Sequence, residues 1–336
     1  MHSKRGLSIV SSHCEGEAGD VIVGGILDLP AKTMHQKLSR YIKEYDDLRR
    51  LLLHEPRGRP EMSGMVIVPP CDPRADAGFL IMAPGDWVPM SGSNTICTTT
   101  VLLETGMVPM KEPFTELKLD TAAGLITATA ECENGQCKSV AFDNVPAFVY
   151  ALDMEVDVPG VGKISVDIAY GGQWYVIAQA KDLNAVVDTS HGDQLISLGK
   201  RVKEAVLAQC MPTHPENSSI CGVNNIVISQ PLVIQDGRIS LRHTVIVTPG
   251  RLERSPCGTG SSSRLAVLHA RGLIGVGESV TFQSIIDTQF VGRIRGLDRV
   301  GDYEAVLPNI RGRAWITGEK QLRLDPDDPF PTGFLI

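Results

Sequence analysis

The chain has 336 residues, 43% hydrophobic and 21% charged, which is enough for two domains with a core each. Its formal net charge of −7, with no long basic run, excludes broad binding to a nucleic-acid backbone. No apolar window reaches membrane-spanning length, "MHSKRGLSIVSSHCEGE" lacks a secretory apolar core, and eight scattered cysteines suit a reducing cytoplasm better than a disulfide framework.

In chain order, "LSIVSS" and "AGDVIVGG" read as strands and residues 32–54 as an amphipathic helix lying on the surface. The strand-like "FLIMAPG" closes on Pro84-Gly85 and leads into "PMSGSNTICTTTVLLETG", residues 89–106. There Ser91, Gly92, Ser93 and Asn94 open a helix that runs through small hydroxyl residues into Val101, Leu102 and Leu103 and stops at Gly106. "LITATAEC" and "SVAFDNV" flank a hairpin turn at Asn134-Gly135. Cys132 and Cys137 beside that turn have no second ligand pair at zinc spacing, so they read as incidental thiols and no metal is expected. Further strands are "AFVYAL", "ISVDIAYGG", "WYVIAQA", "NNIVISQ", "ISLRHTVIV" and "AVLPNIRGRAWIT", and a helix covers about 191–210. These lengths predict strongly curved antiparallel sheets. Asp325, Asp327 and Asp328 read as a solvated turn in the tail.

The stretch "ERSPCGTGSSSRLAVLHARG", residues 253–272, repeats the pattern of 89–106 with Cys257 where Ser91 stands. It too follows a strand-like run ending in Pro-Gly, here Pro249-Gly250, and it too stops at a glycine, Gly272. Duplication of one domain explains both copies, giving halves of about 1–150 and 151–315, with the segment 315–336 packing back on the first. A helix N-terminus presents unpaired N–H groups and partial positive charge, and adjacent glycines let an anion approach. Gly258, Thr259 and Gly260 therefore predict a carboxylate site, matched by Ser91 to Asn94. The same field predicts Cys257 to be an activated, thiolate-prone cysteine. If both tips face one cleft, a small carboxylic acid held there has its α-carbon flanked by residues 91 and 257.

These segments resemble the proline racemase family along nearly the whole chain: "SSHCEGEAGDVIVGG", "EPRG" at 55–58, "PMSGSNTIC", "DIAYGGQWY" and "RSPCGTGSSSRLA". The resemblance implies an α/β (α+β) protein of two pseudo-symmetric domains with a diaminopimelate-epimerase-like fold. Each domain is a curved sheet or barrel around a central helix, with the active site in the cleft between them. It implies a cofactor-independent enzyme acting on proline or hydroxyproline, with a homodimer as the candidate assembly. By position the family's acid/base and carboxylate-binding residues map onto Ser91, Gly92, Ser93 and onto Cys257, Gly258, Thr259. Glu253 stands where an acidic residue contacts the ring amine, and His13 matches the histidine of the family's opening motif. Asp167 lies in a segment that lines the family's cleft, and otherwise fixes a bend. Trp174 and Tyr175 wall the pocket or belong to the core; His243 reads as a structural histidine and His214 as an exposed loop residue.

Ser91 replaces the first catalytic cysteine and Ser93 the histidine that commonly follows the glycine. An alcohol is a far weaker acid than a thiol, which disfavours two-base racemisation. In trans-3-hydroxy-L-proline the Cα hydrogen and the 3-hydroxyl share a ring face, so one thiol suffices for syn loss of water to Δ1-pyrroline-2-carboxylate. The leading expectation is therefore a trans-3-hydroxy-L-proline dehydratase with a weaker 2-epimerase activity. The alternative is a 4-hydroxyproline 2-epimerase or proline racemase using Ser91 and Cys257 on opposite faces. Remoter readings are a thiol hydrolase, with His13, His214 or His243 as base, and a carboxylate-binding module.

Overall fold

In the computed structural model, which describes residues 5–248 and 250–335, the chain divides into two units, Met1–Phe142 with Gly312–Ile336, and Asp143–Arg311. Pro249, expected at the close of a strand, lies outside the described residues. The first unit begins with β1 (Arg5–Cys14), β2 (Glu17–Gly24), α1 (Met34–Leu53), β3 (Ser63–Val68), β4 (Ala77–Met82) and β5 (Trp87–Val88). It continues with α2 (Gly92–Glu104), β6 (Phe114–Thr121), β7 (Gly124–Glu133) and β8 (Gln136–Asp143). The second unit holds β9 (Ala147–Val158), β10 (Gly162–Tyr170), β11 (Trp174–Gln179), α3 (Gly192–Leu207), β12 (Thr213–His214), β13 (Asn217–Cys221) and β14 (Asn225–Ser229). Then come β15 (Val233–Gln235), β16 (Arg238–Val247), β17 (Arg251–Leu252), α4 (Gly258–Ala270), β18 (Ser279–Gln283), β19 (Gln289–Val300) and β20 (Tyr303–Gly312). Finally β21 (Ala314–Leu324) returns to the first unit, antiparallel to β1.

The strands of the first unit neighbour one another in the order β21, β1, β2, β3, β4, β6, β7, β8. Those of the second run β9, β10, β11, β14, β16, β18, β19, β20, and β20 pairs back onto β9, so eight strands close into a barrel. The two orders match strand for strand and in pairing sense. The purely antiparallel expectation is corrected: β2 with β3, β4 with β6, β11 with β14 and β16 with β18 are parallel. In each case a helix lies between the two strands and carries the chain back to the starting end, which a tight hairpin cannot do. The second unit begins before residue 150 because β9 pairs with β10 and β20.

α2 touches β1, β2, β3, β7 and β21, and α4 touches β9, β10, β11 and β19, so each is enclosed by its own sheet. Enclosure on all sides requires small residues whose hydroxyls are satisfied locally. Thr99 and Thr100 donate to Thr95 O and Ile96 O, and Ser262 and Ser263 donate to Gly258 O and Thr259 O, each one turn back on its own helix. Gly106 and Gly272 follow with φ of 73° and 67°, the left-handed stop that their sequence positions predict. In the second unit Tyr175, Ile177, Val227 and Val245 cluster with Val267 of α4, while Val176, Ala178, Ile226 and Ile228 cluster with Leu195, Leu198 and Val202 of α3. Burial on both faces is why these strands read as continuous apolar runs.

Candidate active site

The chain reaches the tip of α4 through a loop pinned from behind. His243 on β16 is fully buried, and burial lowers its pKa to about 4, so the ring is neutral and its Nε2–H donates to Pro256 O at 2.6 Å. Ser261 Oγ donates to the same carbonyl at 3.0 Å. Ser255 Oγ accepts from Cys257 N at 3.2 Å and donates to Glu253 Oε1 at 3.0 Å, tying the carboxylate to the loop that presents the thiol. Cys257 is the N-cap of α4, and its φ of 60° is a left-handed conformation that costs a non-glycine residue about 1–3 kcal/mol. The surrounding hydrogen bonds hold it there. Its sulfur accepts from Gly260 N at 3.4 Å, while Gly258 and Thr259 begin the helix with no carbonyl one turn back to bond.

Tyr175 reaches this tip from β11. Its hydroxyl lies 3.3 Å from Cys257 Sγ and 2.6 Å from Thr259 Oγ1, and accepts from Asn225 Nδ2 at 3.3 Å. The expected thiolate is corrected by the electrostatics: burial first, and then the negative charge of Glu253, push the Cys257 thiol well above its ordinary range. Those two effects outweigh the Gly260 N–H and the Tyr175 hydroxyl, which act in the opposite direction. Cys257 therefore rests as a thiol. Glu253→Gln removes the neighbouring charge, so the pH midpoint for alkylation of Cys257 by iodoacetamide should fall, read by peptide mass spectrometry; a midpoint that stays or rises contradicts this account.

At the tip of α2, Ser91 is the N-cap in an ordinary extended conformation, with φ −152° and ψ 127°, and its side chain makes no capping bond. It is half-buried, with Oγ 3.4 Å from Ser93 Oγ, while Gly92, Ser93 and Asn94 are buried. The two tips differ by an exchange of bulk. In the second unit Tyr175 pairs with Asn225, and its ring lies 3.3 Å from where a Cβ on Gly260 would stand. In the first unit the matching pair is Gly19 with Ser63, and Asn94 fills the space, its Oδ1 3.3 Å from where a Cβ on Gly19 would stand. Ser63 Oγ donates to Asn94 Oδ1 at 2.7 Å, as Asn225 donates to Tyr175. One tip thus has a large strand residue over a glycine, and the other a large helix residue over a glycine.

The Gly171-Gly172 turn packs on the first turn of α4. A Cβ on Gly171 would stand 2.4 Å from Thr259 O and 2.6 Å from Ser263 N, and Asn144 Nδ2 ties Gly171 O and Ser262 Oγ together at 2.9 Å each. Gly171→Ala should therefore displace Thr259 and destabilise the protein by about 1–3 kcal/mol, seen as a lower Tm; an unchanged Tm would show that the turn yields freely.

Asp167 is corrected as a substrate-binding residue. Its buried carboxylate accepts from Arg271 at 2.7 Å and from Asp153 N at 3.0 Å, at the C-terminal end of α4, about 20 Å of helix from Cys257. His13 sits on the opposite face of β1 from the inward Ser12 and Cys14, stacked on Trp315 at 5.1 Å, and burial lowers its pKa. The fold thus does not turn it toward α2. Trp174 is core, edge-on to Phe148, Tyr150 and Tyr170. His214 is half-buried against Phe148 and Tyr170, not an exposed loop residue. Asp328 pairs with Arg57 of the "EPRG" segment at 2.6 Å, so part of the tail's acidic turn is an anchor. Cys132 and Cys137 lie opposite each other in a hairpin turning at Asn134-Gly135, and among the described residues no group of three or more His, Cys, Asp or Glu could hold a metal. Among those residues no helix is long and apolar enough to cross a membrane. Asn225 and the hydroxyl of Tyr175 escaped the sequence reading; only the matched registers of Gly19 with Ser63 and Tyr175 with Asn225 reveal them.

Comparison with known proteins adds an independent line. A family profile described as proline racemase matches residues 9–335. The chain is 42% identical over 336 residues to a 4-hydroxyproline 2-epimerase of Streptosporangium roseum, covering 100% of both chains. It is similar to the crystal structure of a hydroxyproline epimerase from Agrobacterium vitis with bound trans-4-hydroxy-L-proline, with a TM-score of 0.91, 38% identity, and coverage of 100% of this chain and 97% of that one. A probable proline racemase from Agrobacterium radiobacter K84 with bound carbonate gives a TM-score of 0.90 at 39% identity, over 98% and 96% of the two chains.

Proposed function

The chain belongs to the proline racemase family, and from that premise we propose that it is a hydroxyproline 2-epimerase, inverting the α-carbon of 4-hydroxyproline. The observation that carries this reading is full-length identity of 42% to a 4-hydroxyproline 2-epimerase. Epimerisation, the alternative reading of the sequence, thereby displaces dehydration as the principal expectation.

In the proposed reaction the first N–H groups of α4 take the substrate carboxylate, where helix-terminal donors favour an anion. Glu253 takes the ring ammonium, and in doing so neutralises the charge that, after burial, most favours the protonated thiol of Cys257. Cys257, once its own proton has passed to solvent, then exchanges the Cα proton on one face of the ring, and Ser91 on the other. Proton gain by the carbanion from Ser91 leaves an alkoxide, which is costly and is quenched by a proton from solvent; Ser93 Oγ, 3.4 Å away, is the neighbour able to relay that proton, giving its own to Ser91 as it takes one up. The Ser91 face is therefore the slow one.

The test is NMR of trans-4-hydroxy-L-proline in heavy water. Deuterium at Cα and accumulation of cis-4-hydroxy-D-proline are the expected results; absence of both sinks the reading. One observation favours a second reaction alongside: Ser91 is an alcohol, and syn loss of water from trans-3-hydroxy-L-proline needs only one thiol. The same experiment with that substrate, read as Δ1-pyrroline-2-carboxylate, tests it.

A further inference from the structure

We propose that Tyr175 is a positioning residue for Cys257, its hydroxyl holding the sulfur in place and donating to it whenever the proton has left. This rests on Cys257 being the acid/base of the proposed epimerase. Asn225 sets the direction of these hydrogen bonds. Its Oδ1 accepts from Thr248 N at 3.3 Å, which fixes the amide so that Nδ2 is the end facing Tyr175 and Gln173. An amide NH₂ only donates, so the Tyr175 oxygen is an acceptor toward Asn225 and its own proton is free for another partner. Two are in reach, Thr259 Oγ1 at 2.6 Å and Cys257 Sγ at 3.3 Å.

The state of the sulfur chooses between them. A thiolate accepts only, so the phenol proton turns to sulfur while Thr259 donates its own proton into the phenol oxygen. A thiol has a proton of its own, which leaves the phenol free to donate to Thr259. The switch needs only rotation of hydroxyl protons, with no movement of heavy atoms. The phenol itself is fully buried, and burial, together with the charge Cys257 carries once deprotonated and that of Glu253, pushes its pKa well above the ordinary value, so it stays a donor. The other groups facing the sulfur are Glu253 from the preceding loop, Gly260 N and Thr259 Oγ1 (at 3.7 Å) from α4, and neutral His243 from β16 acting through Pro256 O. Tyr175 is thus the only side-chain hydroxyl from outside the α4 segment hydrogen-bonded to this sulfur among the described residues.

Tyr175→Phe removes the hydroxyl and keeps the ring. The expected result is a kcat for hydroxyproline epimerisation lowered roughly ten- to a hundred-fold with KM within about two-fold, as for loss of one hydrogen bond to a charged group. The pH midpoint for alkylation of Cys257, followed by peptide mass spectrometry, should rise, because the bond that favours the thiolate is gone. Replacement of Tyr175 by 3-fluorotyrosine, a stronger donor of nearly the same size, should lower the midpoint and serves if the phenylalanine variant fails to fold. Tyr170→Phe, a buried tyrosine in the Phe148 and Trp174 cluster, should leave the midpoint alone. Alkylation needs no substrate, so the two proposals separate. A protein that leaves hydroxyproline untouched but shows the opposed midpoint shifts refutes the epimerase and upholds the positioning role. An active epimerase whose kcat and midpoint ignore both replacements overturns the role of Tyr175.

Discussion

Cys257→Ser should lower Cα proton exchange on hydroxyproline by roughly a hundred- to ten-thousand-fold, the range for loss of a general acid/base. Even with its pKa raised, the thiol is a far stronger acid than an alcohol, and an alcohol in its place cannot be brought to its conjugate base at neutral pH. Folding should be unaffected: serine is a better helix N-cap than cysteine, and the hydrogen bonds that impose the positive φ come from Ser255, His243 and Ser261, which remain. The measurement is loss of the Cα proton signal in heavy water together with the melting temperature. Exchange at the wild-type rate in a folded variant would mean that Cys257 is not the acid/base.

The second large effect concerns Ser91, and its sign depends on the replacement. Ser91→Ala should lower epimerisation about ten-fold or more while leaving dehydration of trans-3-hydroxy-L-proline within a few-fold. Because Ser91 makes no side-chain capping bond, the alanine variant loses no helix stabilisation from that source. Ser91→Cys supplies a thiol on the slow face and should raise epimerisation about ten-fold. Rates on both substrates, measured side by side for the three proteins, decide the matter. If alanine at 91 removes dehydration as completely as serine at 257 does, the one-thiol route is wrong; if cysteine at 91 slows epimerisation, Ser91 is no proton donor.

The doubled architecture was legible because the two helix tips share a pattern that core packing does not ask for: a capping residue, glycine, small hydroxyls, apolar residues and a terminal glycine. Gly106 and Gly272 advertise their left-handed backbone in sequence since only that residue type takes it without penalty. The parallel pairings were not legible, because a strand buried on both faces looks alike in either direction. Asp167 was misplaced for a related reason: "DIAYGG" runs along the length of α4, so its glycines meet the first turn while its carboxylate meets Arg271 at the last. The state of Cys257 was misjudged because a helix terminus is visible in sequence, whereas burial and the approach of Glu253 are products of the closed barrel. Tyr175 closes the segment "DIAYGGQWY", but nothing there shows that its hydroxyl meets the thiol; its partner Asn225 is fifty residues distant in the chain and adjacent only through parallel pairing.

The exchange of bulk at positions 19, 94, 175 and 260 has an evolutionary consequence. Making the α2 tip like the α4 tip takes Ser91→Cys, Asn94→Gly and Gly19→Tyr together. Gly19→Tyr alone drives a phenol into the amide of Asn94, and Asn94→Gly alone opens a void and leaves Ser63 Oγ only its bond to Ala18 O. Making the two tips alike in full therefore crosses a less stable protein by any single-step path, whereas Ser91→Cys alone, which makes the reacting groups identical, leaves the packing of Gly19 against Asn94 untouched.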